Sequence, residues 1–421
     1  MPIKLIRLII VFVLLASFSL LAYAQDWAQW RGANRDGVIK DFIVPAAWPK
    51  ELKQVWKTPV GSGYSSPIIG SMGGKDRAWI HSMNGEEETI TCLDLKTGKP
   101  LWSKRYPAQF TKNQYAKEMS KGPFSTPVLY QGKLYTLGVN AVFSCFDAVT
   151  GELKWQKDFG KPDTSKMFCG TSASPVIDGG NVIVYTGDDI KGGVMVAFNA
   201  ATGKEVWRWT GEGPGYASPI IATFEGVRQI VTMTDKSVIG VAAKDGQLLW
   251  RLPWPDEWNE NIVTPVLFKA NGKDALLLSG VRKGTVAVQV GKADDKWETK
   301  ELWSNKELTM YMNSPVLSGD HFFGMTNKRK GSLFCAEAAT GKILWSTEGR
   351  EGANAAILHT KDLLFVLNND AGLIVAKKSA TGFEQVAKYS VADSATYAHP
   401  VIWGKTILVK DDASIALWSL K

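Results

Sequence analysis

The residues able to do chemistry are few and scattered. The four histidines, His81, His321, His359 and His399, share no spacing that would aim two of them at one metal ion. Asp188-Asp189 is an acidic pair, but Thr186-Gly187-Asp188-Asp189 reads as a hairpin turn. Asn259-Glu260-Asn261 places carboxylate and amide oxygens beside a strand start, which makes it the best Ca²⁺ candidate in the chain. No Gly-x-Ser-x-Gly elbow or phosphate loop occurs. The stretch Thr210 to Gly215 is glycine-rich but lacks the strand–helix setting of a dinucleotide site. No catalytic residue and no metal ligand is assigned on these grounds.

The elements that would position any such group form a repeat. Leu93-Asp94, Thr97-Gly98 and Trp102 recur as Phe146-Asp147, Thr150-Gly151 and Trp155. They recur again as Phe198-Asn199, Thr202-Gly203 and Trp207, then loosely as Asp245-Gly246 and Trp250. A fifth copy keeps only Trp303; a sixth has Glu337, Thr340-Gly341 and Trp345; a seventh has Thr381-Gly382 with Val386 in place of Trp. The acidic or amide side chain bonds the turn backbone, and Gly takes the positive φ of a tight hairpin. The Trp on the following strand is expected to pack between neighbouring units.

A second landmark counts the units. A small polar residue and a proline open the innermost strand at Ser66, Thr126, Ser174, Ser218, Thr264 and Ser314, with a degenerate copy at Ala355 and the last at His399. Proline is tolerated at a first strand position. Spacings of 41 to 60 residues fit four strands per unit. The chain beyond Pro400 has room for three strands only. The fourth is expected from Gln54-Val55-Trp56-Lys57, because Trp56 precedes Ser66 by the same ten residues that separate Trp345 from Ala355. The expected fold is all-β: an eight-bladed β-propeller closed by pairing the two ends of the chain.

The repeats and the mature start Trp30-Arg31-Gly32-Ala33-Asn34-Arg35-Asp36-Gly37 carry a family resemblance. The pattern resembles the pyrroloquinoline-quinone (PQQ) type propeller repeat of quinoprotein dehydrogenases and of the outer-membrane assembly factor BamB. The dehydrogenases imply PQQ held by a stacking Trp, a disulfide of adjacent cysteines, a Ca²⁺ ion and an Asp base. This sequence has no adjacent Cys pair. Cys92, Cys145 and Cys335 share one repeat position, too far apart for disulfides, and read as small buried packers; Cys169 has no evident partner.

In a propeller the residues just before the inner strands rim one mouth of the channel. Here they are Tyr64, Phe124, Thr171, Tyr216, Trp258 with Asn261, Tyr311 with Asn313, Asn354, and Tyr397 with His399. This aromatic and amide ring is the expected ligand- or partner-binding site. The insert 104–123, with Arg105, Tyr106, Phe110, Tyr115 and Met119, is a second candidate surface.

Residues 1–24 read as a secretory signal: Lys4 and Arg7, an apolar run Leu8 to Leu21, and Ala22-Tyr23-Ala24 before cleavage. Residues 25–50, with Trp27, Trp30 and Trp48, are expected to pack as an arm against the side of a propeller spanning 51–421. A formal charge of +8 over 421 residues, with no basic run, argues against nucleic acid. The BamB resemblance implies a non-catalytic, monomeric, periplasmic or secreted propeller without cofactor. It would bind an envelope protein or surface component and is not integral to the membrane. The alternatives are a PQQ- and Ca²⁺-dependent oxidoreductase and a carbohydrate-binding propeller.

Overall fold

The computed structural model describes residues 26–116, 119–165, 167 and 169–421; the expected secretory signal lies outside them. Eight four-stranded antiparallel sheets form the molecule. Blades 1 to 7 cover residues 68–107, 128–158, 176–211, 220–253, 266–305, 316–346 and 355–390. Blade 8 joins Val401–Trp403, Thr406–Lys410 and Ser414–Ser419 to Lys53–Pro59 as its outer strand. Lys53 pairs with Ser419 and Trp56 with Leu417, so the ring closes through the chain ends as the Trp56 spacing requires. Beyond the strands, the described residues hold only two 3₁₀ turns, and no helix is long and apolar enough to cross a membrane.

The repeated turn and the repeated Trp meet across five of the blade junctions. Asp94 Oδ1 accepts hydrogen bonds from the Thr97 amide and hydroxyl, both at 3.0 Å, and Asp147 and Asn199 hold their threonines in the same way. Gly98, Gly151, Gly203, Gly246 and Gly341 follow, with φ between +69° and +77°. On them lie the indoles of the preceding blades: Trp56, Trp102, Trp155, Trp207 and Trp303. A Cβ at Gly151 would lie 2.6 Å from the Trp102 ring. The indole N–H often completes the contact, as from Trp56 to Leu95 O at 2.9 Å and from Trp303 to Ala338 O at 2.9 Å. Glycine is therefore required twice over, for its φ and for its missing side chain.

The degenerate copies follow from the same contact. Blade 5 makes its outer hairpin from ten-residue strands around Asp294-Asp295 and offers no glycine seat. Trp250 of blade 4 turns back into its own blade, donating to Gln229 Oε1 at 2.6 Å. Blade 8 has no such turn, because its third and outer strands come from opposite chain ends. Val386 of blade 7 thus has nothing to dock on, and no Trp is needed there.

Around the axis the strand-start hydroxyls form a belt. The Ser66 amide donates to Thr126 Oγ1, Thr126 to Ser174, Ser174 to Ser218, Ser218 to Thr264 and Thr264 to Ser314, all at 3.0–3.1 Å. His399 N donates to Ser66 Oγ at 2.9 Å. Ala355 and His399 lack a hydroxyl and break the circle at blades 7 and 8.

The arm departs from its expected place. Residues 26–39 do not lie on the side of the barrel; they thread the central channel. Ile69 N donates to Trp27 O and Leu129 N to Ala28 O on one side, and Ile39 N donates to His359 O on the other. Between these, Arg31 Nη2 reaches Pro315 O at 2.7 Å and Arg35 Nη1 reaches Pro175 O at 2.7 Å. Backbone groups on the inner strands supply these partners, so the channel wall itself holds the plug. Only the later part lies outside, where Phe42 stacks with Trp48 and meets the edge of Phe365.

Two outcomes follow for stability. Gly151→Ala should destabilise by about 3 kcal/mol, since it adds a clash with Trp102 to the cost of positive φ. Gly132→Ala, at φ +76° with nothing within 4 Å of the added Cβ, should cost only ~1 kcal/mol. Urea unfolding of the two variants checks the difference. Burial and the nearby Arg31 hold His399 down to about 3, and burial and Lys378 hold His359 down to about 4. Both are neutral when folded and able to charge when unfolded. Stability is therefore complete above pH ~6.5 and is lost as the pH falls from there towards 4, by roughly 3 kcal/mol for each histidine. Melting temperatures from pH 7 to 4 for the parent and His399→Gln should show a shallower decline in the variant.

Candidate functional site

At the strand-start end of the ring the belt hydroxyls, five rim side chains and the plug enclose a cavity of about 160 Å³. Trp30 closes its floor, meeting His399 edge-on at 5.6 Å between ring centres. Tyr64 lies 4.4 Å from Tyr397 and 5.9 Å from Phe124, forming one aromatic wall. Tyr216 stands in the lining with Cys169 and Met119. Among the described residues no lysine, arginine or carboxylate lines the cavity. Burial pushes the Tyr64 hydroxyl up to about 12 and raises the Cys169 thiol, so neither ionises near neutrality. With His399 neutral as well, the pocket is an uncharged chamber of aromatic faces and hydroxyls.

The rim expectation divides. Tyr64, Phe124, Tyr216, Tyr397 and His399 converge on the cavity. Trp258 does not: it is 60 % exposed, outside the chamber, with the Arg282 guanidinium 3.5 Å over its ring. Asn261 is 2 % exposed, and its amide donates to Thr234 O at 2.8 Å and Trp254 O at 3.1 Å, bracing a turn of blade 4. Asn313 is buried, with Oδ1 accepting from Met325 N at 3.4 Å. Asn354 is buried under the blade 7 loop, where Asn369 Oδ1 accepts from its main-chain N–H. Thr171 shares a hydroxyl contact with Thr186. Tyr311 sits against Glu260, and burial raises both. Reading back from the strand starts found the aromatic rim, but buried amides bonding to backbone looked the same in sequence.

The oxygens of Asn259-Glu260-Asn261 do not converge. Asn259 donates its amide to Asp189 Oδ2 at 2.9 Å, Glu260 faces Tyr311, and Asn261 turns inward. Asp188 accepts backbone amides from Asp163, Ile190 and Lys191, the role of a turn carboxylate. Among the described residues no group of three His, Cys, Asp or Glu is placed to hold a metal ion. Trp30, Met119 and Cys169, which the reading back from strand starts did not reach, also line the chamber. Each arrives from a segment outside the blades.

The insert crosses this same mouth. Its first residues finish the outer strand of blade 1, where Tyr106 donates to buried Glu88 at 2.5 Å. Phe110 packs with Met83 and Val139, and Asn113 donates to Thr164 O and Ser165 O, fastening the insert to the loop after blade 2. Tyr115 points outward, 78 % exposed.

A PQQ cofactor would need room for a tricyclic ring and partners for three carboxylates. The four cysteines are free and buried, and the chamber has no cation in its lining among the described residues. Its 160 Å³ is below the ~300 Å³ at which small-molecule pockets begin. The residues present do not fit the group.

Solved structures share the whole ring. A europium-containing methanol dehydrogenase aligns with a TM-score of 0.70 at 12 % identity, over 94 % of this chain and 98 % of that one. BamB from Moraxella catarrhalis aligns with a TM-score of 0.56 at 14 % identity, over 87 % and 99 %. At such identities they speak for the fold alone. In sequence, the outer membrane protein assembly factor BamB of Burkholderia pseudomallei is 24 % identical over 68 % of this chain and 70 % of its own length. The quinoprotein alcohol dehydrogenase PedH of Pseudomonas putida is 27 % identical over 39 % of this chain and 27 % of its own length. The family model described as outer membrane protein assembly factor BamB matches residues 50–184, 86–347 and 299–416. That match takes in all eight blades, and the chain belongs to this BamB family of PQQ-type propellers.

Proposed function

We propose that this propeller is a non-catalytic scaffold of the cell envelope, exported to the periplasm or beyond, that grips a protein or envelope component at its mouth. The observation that carries the reading is the chamber itself. It is closed beneath by Trp30, walled by Tyr64, Phe124, Tyr216 and Tyr397, and among the described residues has no lysine, arginine or carboxylate in its lining. Such a chamber supplies apolar contact and hydroxyl hydrogen bonds to one ring-sized uncharged group. Membership of the BamB family supports a partner in the outer envelope.

A quinoprotein-like oxidoreductase is the second reading, supported by the 27 % identity to PedH over 39 % of this chain. The lack of carboxylate partners in the chamber opposes it. A carbohydrate ligand suits the same aromatic and hydroxyl surface and would be one form of envelope component.

A photo-crosslinking residue at Phe124, in cells of the native host, should trap a defined envelope protein or glycan. Tyr216→Ala with Tyr397→Ala should reduce that product at least tenfold. Addition of PQQ with Ca²⁺ should leave the melting temperature unchanged. A clear rise in melting temperature with dye reduction would transfer the assignment to the oxidoreductase.

A further inference from the structure

On the far side of Trp30 the channel changes character. A cavity of about 490 Å³ lies just beyond the strand starts of blades 3 to 6. Val176, Ile177, Ile220, Ile221, Val266 and Leu267 make its apolar wall. Arg31 and Arg35 of the plug also line it. They are 1 % and 5 % exposed.

Both guanidiniums are half-satisfied. Each has five N–H donors. Arg31 uses only Nη2, towards Pro315 O at 2.7 Å and Asp36 O at 3.5 Å. Arg35 uses Nη1 towards Gln29 Oε1 at 3.3 Å and Pro175 O at 2.7 Å, and Nη2 towards Ser174 O at 3.2 Å. Nε of each is buried without a partner.

Countercharge is also short. Burial pulls Arg31 down to about 10, with Asp36 alone acting against it, and pulls Arg35 down to about 9, a shift that Arg31 deepens. The Trp30 ring lies 5.5 Å and 5.4 Å from the two guanidinium carbons and offsets part of the cost. Arg228, also in the lining, is already paired with Asp178. Buried cations with spare donors are strongly unfavourable unless a negative group completes them.

We propose that this cavity binds a single-tailed organic anion, a carboxylate or phosphate ester whose head meets Arg31 and Arg35 and whose hydrocarbon body fills the apolar wall. The volume is that of a small-molecule site. The proposal stands apart from the mouth reading, because Trp30 separates the two chambers.

Octanoate and octyl phosphate, below their micelle concentrations, are titrated into the full chain by calorimetry, with the melting temperature followed in parallel. At least one should bind and raise the melting temperature; preference for either identifies the head group. Arg35→Gln and Arg31→Gln should each weaken binding at least tenfold. Ile221→Phe, which narrows the cavity and leaves both arginines in place, should do the same, with circular dichroism checking that each variant folds. The proposal is overturned if neither probe binds, as for a cavity that holds only water. It is equally overturned if octanol binds as tightly as the anions, if inorganic phosphate matches octyl phosphate, or if the folded variants keep their affinity.

Discussion

At five blade junctions an outer-strand indole lies on the glycine turn of the next blade, and this contact does two jobs. It buries apolar ring surface worth a few kcal/mol, and it fixes the rotation of one sheet against its neighbour. The indole needs a flat seat, and only a turn with no side chain provides one. Trp56 on Gly98 is the same contact made by the closing strand. Ring closure is thus one more instance of the repeat, although its two halves come from opposite ends of the chain. Closure also covers the edge that Ser414–Ser419 would otherwise leave open.

Between blades 7 and 8 this contact is missing. Blade 7 presents Val386 to a blade 8 without a turn, and Ala355 and His399 interrupt the hydroxyl belt in the same sector. The arm lies there. His359 exchanges backbone hydrogen bonds with Gly37 and Ile39, and Ile43 N donates to Gly404 O. Tyr389 donates to Pro49 O at 3.0 Å, and Phe42 meets Phe365. Ile39 and Trp27 belong to the same buried cluster as residues of blades 7, 8 and 1. The arm supplies across this seam what the repeat supplies elsewhere, which accounts for its being both a plug and a strap.

The blades were legible because their signals are local. Asp94, Thr97 and Gly98 specify a turn within five residues, and Trp56, standing ten residues before Ser66, disclosed the split blade. The path of the arm was not legible. Arg31 and Arg35 bond to Pro315 O and Pro175 O, and every residue has a carbonyl, so no partner residue marks the destination. The mouth was half legible. Position before a strand start places a residue at the rim but does not say which way it turns. Asn261 and Asn313 turned inward because turn carbonyls and a strand amide there needed partners, whereas Tyr64 and Tyr397 kept to the opening. The Ser/Thr before each proline was read as a strand start, and its hydroxyl proved to tie adjacent blades together.

Trp30 sets the chemistry of both chambers. Above it no lysine, arginine or carboxylate among the described residues lines the space; below it two guanidiniums lie against its ring. The separation is electrostatic as well as steric. His399 touches Trp30 from above, and burial together with the Arg31 charge beneath holds it neutral. Burial is the larger cause, so enclosure against Trp30 acts first on the imidazole and the Arg31 charge adds to it. The segment that straps blades 7, 8 and 1 together thus also supplies the floor of the opening and part of the field across it.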